Sequence, residues 1–224
     1  MENINYLSSL NVSQLKAVES INGPNLVIAG AGTGKTRVLT TRVAHIIDTN
    51  HAFPSHILCV TFTNKAAREM SNRIQSLVNN KLDRMPWMGT FHSIGAKIIR
   101  NHSELLGLKP SFTILDKDDQ LTLIKQIIKA ENLDQALYVP KFIQNRIDQW
   151  KNKALNPDDI NSNSLDSMID EKSHLIYKIY QRRLFEINCL DFGDLLLQCI
   201  NLFKNDEIIK RYGSNFKYIL VDEY

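Results

Sequence analysis

The stretch Ala29-Gly30-Ala31-Gly32-Thr33-Gly34-Lys35-Thr36 decides the fold that this chain adopts. It follows a short apolar run, Asn25-Leu26-Val27-Ile28, and it precedes apolar residues that recur at helical spacing, namely Leu39, Val43, Ile46 and Ile47. A strand, then a glycine-rich loop, then a helix is the context typical of a Walker A phosphate-binding loop. The stretch therefore predicts a nucleotide site near the start of an α/β fold.

The residue types in this loop suit the binding of a triphosphate. Its glycines let backbone N–H groups turn inward at dihedral angles that a Cβ disfavours, and the following helix adds its positive N-terminal end. We expect Lys35 to reach the β- and γ-phosphates and the hydroxyl of Thr36 to ligate Mg²⁺. The general pattern begins with glycine where this chain has Ala29, a residue small enough to fit. The loop thus predicts a nucleoside triphosphate and Mg²⁺ as cofactors.

The end of the sequence carries a second motif, Lys217-Tyr218-Ile219-Leu220-Val221-Asp222-Glu223-Tyr224. An apolar, β-rich run that closes on two carboxylates is typical of a Walker B strand. We expect Asp222 to hold Mg²⁺ through water and Glu223 to position or deprotonate the attacking water. Taken alone the run also fits an ordinary solvated strand end, and the Walker A motif upstream favours the functional interpretation.

The bulk properties indicate one large domain or two small ones. The chain has 224 residues, is 43% hydrophobic and carries a net charge of +3, which is compatible with nucleic acid without indicating it. No apolar run approaches membrane-spanning length, and the polar N-terminus is unlike a signal peptide. The cysteines lack metal-site spacing, so we expect buried thiols in a reducing compartment: Cys59, Cys189 and Cys199. These features predict a cytoplasmic protein with no membrane partner.

Strand and helix patterns alternate in the first part of the chain. Predicted strands cover 57–62 and 87–91, and each leads into a helical pattern, which implies a mostly parallel sheet with helices on both faces. Thr63 or Asn64 can cap the first of these helices. From about 115 to 203 the pattern is nearly all helical, with Pro140 suited to a first helical turn and Asp191 to a helix cap. The final strand, 218–221, returns to the parallel-sheet type. We therefore predict an α/β domain from residues 1–110 and 191–224, with an inserted helical domain at 111–190.

Polar and aromatic residues follow two of the predicted strands. Ligands of open parallel sheets bind beyond the C-terminal strand ends, where Thr61-Phe62-Thr63-Asn64-Lys65-Ala66-Ala67 and Gly89-Thr90-Phe91-His92-Ser93 lie. Phe62 is placed to stack on a base, which is worth about 1–3 kcal/mol, and Thr63 and Asn64 to donate to phosphate. The alternative is a capped helix start, with Phe62 in the core and a structural His92. These segments favour a single-stranded nucleic acid as partner.

One further polar residue stands just before the first predicted strand, in Leu10-Asn11-Val12-Ser13-Gln14. The amide of Gln14 can both donate to and accept from an adenine edge. The alternative interpretation of Gln14 is a polar residue at a helix start.

These motifs, in this order, resemble those of UvrD/Rep/PcrA-type superfamily 1 DNA helicases. The segment Asp191-Phe192-Gly193-Asp194-Leu195-Leu196 is similar to the helix that precedes the Walker B strand in that family. The resemblance runs the whole length of the chain. It implies a RecA-like ATPase domain with an inserted helical domain, ATP-driven 3′→5′ translocation on single-stranded DNA, unwinding at duplex junctions, and a role in DNA repair.

The resemblance also implies roles residue by residue. Gln14 would read adenine, Lys35 and Thr36 would hold phosphate and Mg²⁺, and Arg37 and Arg73 would lie near the nucleotide. Asp222 and Glu223 would serve metal and water. The DNA track would be lined by Phe62, Thr63, Asn64, Thr90 and His92.

The family pattern continues past Tyr224 into a second RecA-like domain that supplies arginines to the γ-phosphate. We therefore expect a truncated portion, from a cloned fragment or a split gene, with feeble hydrolysis and no unwinding by itself. A helicase subunit of a nuclease complex shares these motifs, and a binding-only P-loop module is a further alternative. A GTPase is disfavoured because Asn64-Lys65-Ala66-Ala67 lacks the acid that reads guanine, and a kinase has no need of Asp222-Glu223 at a strand end.

Overall fold

A computed structural model describes residues 6–78, 85–161 and 167–223. The helices are α1 (Val12–Glu19), α2 (Lys35–Asp48), α3 (Asn64–Leu77), α4 (Phe91–Asn101), α5 (Lys117–Ala130), α6 (Pro140–Asn152), α7 (Met168–Glu186), α8 (Phe192–Leu202) and α9 (Asp206–Asn215). The strands are β1 (Ile57–Thr61), β2 (Met88–Thr90), β3 (Thr113–Leu115), β4 (Cys189–Asp191) and β5 (Tyr218–Val221). The predicted α/β class with parallel sheets is confirmed.

The chain forms two compact units. Unit 1 combines residues 1–94 with 210–224, and unit 2 comprises residues 95–209.

The sheet of unit 1 has the order β2-β1-β5, and both pairings are parallel. Cys59 of β1 lies opposite Met88 of β2 and opposite Leu220 of β5. Just past β5, the backbone N–H of Asp222 donates to Val60 O at 2.9 Å. Parallel strands end at a common edge, so the residues after β1, β2 and β5 are brought to one side of unit 1.

The predicted first strand, Asn25–Ile28, is wrong, because these residues form no strand in the structure. Leu26 and Ile28 are 71% and 88% exposed, so their apolar side chains do not enter the core. Asn25 instead donates its side-chain amide to the carbonyls of Ser20 and Gly23, both at 3.0 Å. An apolar run becomes a strand only when a neighbour pairs with it, and β5 pairs with β1 alone among the described residues.

The core of unit 1 lies between the sheet and helices α2 and α3. Ile46 of α2, Ile57 of β1 and Met70 and Ile74 of α3 are fully buried. Thr63 caps α3, as predicted, by accepting from the N–H of Ala66 at 3.1 Å. Such a cap contributes about 1 kcal/mol, so α3 is fixed at the end that meets the sheet edge.

Unit 2 is mainly helical. Isoleucines of α5 and α6 pack on two buried tyrosines of α7, and Trp150 stacks on Tyr177 with centroids 5.8 Å apart. The predictions that Pro140 begins a helix and that Asp191 caps one are confirmed by α6 and α8. The parallel strands β3 and β4 were not predicted, because three-residue strands are too short to show a period of two.

The predicted burial of Cys59, Cys189 and Cys199 is confirmed. Within the described residues, no helix is both long and apolar enough to cross a membrane.

A polar network lies in the core of unit 2. Lys151 of α6, whose side chain is fully buried, contacts Asp191 Oδ2 at 2.7 Å and Asp194 Oδ1 at 2.8 Å. The hydroxyl of Tyr180 donates to the same oxygen of Asp191 at 2.8 Å, and Gln120 Nε2 lies 3.4 Å from it. Elements α5, α6, α7 and α8 are thus joined through one buried group of charges.

Candidate functional site

Two of the three glycines in the glycine-rich loop adopt the left-handed backbone that the sequence predicts, and Gly30 does not. Gly32 and Gly34 have φ angles of +76° and +91°, in the left-handed region that disfavours other residues. Gly34 immediately precedes α2, and no side chain caps that helix. The first-turn N–H groups of α2 therefore remain without a side-chain acceptor, which is the property of a helix end that suits an anion.

Lys35 is held against the loop that precedes it. Its Nζ donates to Ala29 O at 2.9 Å and to Gly30 O at 3.0 Å. Thr33 tightens the same turn by donating its hydroxyl to Gly30 O at 2.7 Å. Thr36 is half-buried at the start of α2, while Arg37 is exposed. The ammonium group of Lys35 therefore lies within the loop, at the N-terminal end of α2.

The acidic pair follows directly after β5. Asp222 is buried, and burial together with Glu223 raises the pKa of its carboxyl above the ordinary range, while the positive charge of Lys35 lowers it. Burial raises the pKa of the Cys59 thiol to about 12, and the nearby carboxyl of Asp222 contributes a smaller part of that rise. Glu223 has a φ of +61°, an uncommon conformation for a residue with a Cβ and one that recurs at functional sites.

A cavity of about 990 Å³ in unit 1 brings the two motifs together. Ala29 and Lys35 line it from the glycine-rich loop, and Asp222 and Glu223 line it from the end of β5. Lys35 and Asp222 thus share one space although they stand near opposite ends of the sequence. The other described residues predicted to bind nucleotide or metal lie outside its lining: Gln14, Gly30, Ala31, Gly32, Thr33, Gly34, Thr36, Arg37 and Arg73.

Gln14 contacts the loop directly. Its Oε1 accepts from the backbone N–H of Asn11 at 3.0 Å, and its Nε2 donates to Thr33 O at 3.1 Å. A Cβ on Gly34 would lie only 3.0 Å from that Nε2. Gln14 therefore packs on the loop at the backbone of Thr33.

Arg73, which was also predicted to lie near the nucleotide, is exposed on α3.

The residues at the ends of β1 and β2 divide into exposed and structural ones. Phe62 is 73% exposed, and Thr63 and Asn64 are also exposed. Thr63 in addition serves as the cap of α3. Thr90 is buried, and its Oγ1 accepts from the N–H of Ser93 at 3.1 Å. His92 is half-buried, and burial lowers its pKa. The alternative in which Phe62 belongs to the core is wrong.

Arg42 belongs to the candidate site although no sequence motif indicates it. It lines the cavity from α2, and its Nη1 donates to Ala17 O of α1 at 2.5 Å. Its position two helical turns after Lys35, on the same face of α2, is the signal that could have found it.

Comparison with known proteins agrees with this geometry. Residues 10–224 match the model of the UvrD/REP helicase N-terminal domain. The chain is 48% identical to the DNA helicase II of Rickettsia typhi, across all of this chain and 34% of that protein. It is 41% identical to the ATP-dependent DNA helicase PcrA of Staphylococcus aureus, across 97% of this chain and 30% of that protein. The chain thus spans about a third of the length of these relatives. The glycine-rich loop and the acidic strand end lie on one cavity, the family model matches nearly every residue, and the chain belongs to the UvrD/REP helicase family.

Proposed function

We propose that this chain is the ATP-binding and single-stranded-DNA-binding portion of an ATP-dependent 3′→5′ DNA helicase that acts in DNA repair. The observation that carries the proposal is the cavity shared by Lys35 and the Asp222–Glu223 pair. A positive group beside a glycine-rich loop, with carboxylates opposite, suits a triphosphate and its divalent cation. The names of the relatives, DNA helicase II and ATP-dependent DNA helicase PcrA, support the same reaction.

In this proposal the loop amides and Lys35 bind the phosphates. The hydroxyl of Thr36 and the carboxylate of Asp222 would hold Mg²⁺, which takes hard oxygen ligands and few protein groups when phosphates supply the rest. Bound Mg²⁺ would neutralise charge that develops on the phosphates. Glu223 orients the attacking water, and Gln14, Arg37 and Arg73 contact the nucleotide.

Single-stranded DNA is proposed to cross the edge where β1 and β2 end. The exposed ring of Phe62 supports this, since a phenylalanine that is 73% exposed beside a helix N-terminus is available to a base. Asn64 is exposed as well and can donate to a phosphate. Thr63, Thr90 and His92 belong to the same proposed track; the hydroxyls of the two threonines already accept helix-start N–H groups, so they would contribute through position.

Taken by itself, the 224-residue chain is proposed to bind its ligands with feeble hydrolysis and without unwinding duplex junctions. The chain spans about a third of the length of its relatives. The family resemblance implies that a second RecA-like domain supplies arginines to the γ-phosphate. An arginine supplied in this way is worth about 10³–10⁵ in rate in other phosphoryl-transfer enzymes. Rapid strand separation by the purified chain would contradict this part of the proposal.

A matched pair of phenylalanines tests the DNA track. Phe62 and Phe53 are both 73% exposed and both lie in unit 1, but only Phe62 follows a strand end of the proposed track. Titration of a fluorescent oligonucleotide should show that Phe62→Ala weakens binding by about 5- to 150-fold, the loss of one stacked base. Phe53→Ala should bind like the wild type. Equal effects of the two substitutions would place the DNA elsewhere.

A further inference from the structure

We infer that helix α1 sets the shape of the phosphate-binding loop, through a relay of hydrogen bonds from Asn11 to Gln14 to Thr33. Asn11 and Gln14 are positioning residues in this relay, and their contribution to triphosphate binding does not require a base. The inference rests on the proposed function, which makes the loop a nucleotide site, and it adds to it a role for Asn11 and a second role for Gln14.

The first step of the relay is a reciprocal cap at the start of α1. The side chain of Asn11 accepts from the N–H of Gln14 at 2.9 Å, and the side chain of Gln14 accepts from the N–H of Asn11 at 3.0 Å. A long glutamine side chain normally samples many rotamers, and this cap holds its oxygen end in one place. The nitrogen end is then directed away from α1.

The second step joins that nitrogen to the loop. Gln14 Nε2 donates to Thr33 O at 3.1 Å, and Thr33 in turn donates its hydroxyl to Gly30 O at 2.7 Å. Thr33 stands between Gly32 and Gly34, the two residues with positive φ angles. A contact to the carbonyl between two left-handed residues restrains the turn that directs the loop amides, so Gln14 acts on the shape of the phosphate cradle.

Helix α1 is fastened at its other end as well. Arg42 of α2 donates to Ala17 O at 2.5 Å and to Ile21 O at 3.4 Å, and Val18 of α1 is fully buried. The start of α1 contacts the loop through Gln14, and the end of α1 contacts α2 through Arg42. Helix α1 therefore supports the loop, and Gln14 is the residue that touches it.

The relay leaves Gln14 able to meet a base too. A carboxamide has two N–H donors and an oxygen with two lone pairs, and the relay uses one of each. The effect of removing Gln14 therefore divides into a part seen with any triphosphate and a part seen only when adenine is present.

The test compares Mg²⁺–tripolyphosphate with Mg²⁺–ATP by calorimetric titration of the full chain. We expect Gln14→Ala and Asn11→Ala each to weaken tripolyphosphate binding by about 3- to 10-fold, as for the loss of one hydrogen bond. The double variant should be no weaker than Gln14→Ala, since Asn11 acts through Gln14. Asn11→Asp, which keeps an acceptor at the cap, should restore affinity. Asp116→Ala removes the equivalent cap from α5 in unit 2 and should leave tripolyphosphate binding unchanged.

Tripolyphosphate affinity that is unchanged in Gln14→Ala would overturn the inference and leave Gln14 as a reader of adenine alone. A loss of tripolyphosphate affinity in the double variant that equals the product of the two single losses would also overturn the inference. A ligand-free measurement separates failure of the relay from failure of the proposed function. In ¹⁵N relaxation, the order parameters of the amides of Gly32 and Gly34 should fall in both single variants. Unchanged order parameters would contradict the relay, whereas a wild-type chain that binds neither ligand would contradict the nucleotide site.

Discussion

Lys151 carries a positive charge into the core of unit 2, where its fully buried side chain meets two carboxylates. Two buried acids that lose their cation cannot be hydrated, which is costly. Lys151→Met should therefore lower the free energy of unfolding by about 3–5 kcal/mol, as measured by urea titration followed by circular dichroism. Lys117→Met is the control, because Lys117 pairs with Asp148 while its own side chain is 54% exposed. This substitution should lower the free energy of unfolding by at most about 1 kcal/mol.

A variant of Lys151 that does not fold still leaves this prediction testable. Adding Asp191→Asn and Asp194→Asn to Lys151→Met removes the stranded charges and should recover part of the stability. No recovery in the triple variant would show that shape, rather than charge, is what Lys151 supplies.

Asp194 makes the stability of unit 2 depend on pH. Burial and, to a smaller extent, the carboxyl of Asp191 raise the pKa of the Asp194 carboxyl to about 6, against the opposing charge of Lys151. A raised pKa means that the folded chain favours the protonated acid, so this stability is present below the ordinary pKa and is lost as the pH rises through about 6. Asp194→Asn stays uncharged, and its stability relative to wild type should increase from about pH 4 to about pH 7. Urea titrations of both proteins at each pH check this, and a constant difference would contradict it.

At the scale of elements, the start of α8 depends on close approach to α6. A Cβ on Gly193 would lie 2.9 Å from Cδ and 3.2 Å from Cβ of Lys151, whose side chain is pinned by two carboxylates. Gly193→Ala should therefore lower the free energy of unfolding by about 1–3 kcal/mol. Gly213→Ala is the matched control in α9, because a Cβ there meets nothing within 4 Å and should stabilise its helix by about 0.5–1 kcal/mol. Thermal unfolding of both variants measures these effects. Equal shifts of the melting temperature in Gly193→Ala and Gly213→Ala would argue against the packing explanation.

The elements also show what sequence can and cannot predict. Helix caps were readable because the cap and its partner are neighbours in the chain, as with Thr63 and Asp191. The apolar character of residues 25–28 predicts a strand, yet strand pairing depends on a distant neighbour that the local pattern does not record. The short strands β3 and β4 are not predictable either, because three residues show no period of two and their pairing joins residues far apart in sequence.

The candidate site was predicted unevenly for similar reasons. Motif spacing indicated Lys35 and Asp222, and the structure places both on one cavity. The contact between Gln14 and Thr33 was not predictable, because it depends on how α1 packs beside the loop. The sequence also does not predict which strand-end residues are exposed. Phe62 fits a core position as well as a surface one by sequence, and the structure shows that it is on the surface.

At the scale of the whole molecule, the apolar lining of the cavity in unit 1 should affect behaviour in solution. Leu26, Ile28 and Ile219 line it and are 71%, 88% and 64% exposed. Grouped apolar side chains favour association between copies, above all beside a sheet edge that has no partner strand among the described residues. We expect light scattering to show a mass that rises with protein concentration, and Ile28→Ser to reduce that rise. Phe53→Ser, which alters a residue that is 73% exposed and outside the cavity, should not. A wild-type monomer at every concentration would count against this.

Equilibrium binding of Mg²⁺–ATP to the purified chain is the measurement that tests the central claim most directly. That claim is that the loop of Lys35 and the strand end of Asp222 form one nucleotide site. Wild-type protein should bind ATP, and Lys35→Ala should weaken binding by at least about tenfold, as for the loss of hydrogen bonds to a charged group. Lys210→Ala, an exposed lysine of α9 outside the cavity, should bind like the wild type. ATP binding that is absent, or that is indifferent to Lys35, would contradict the account.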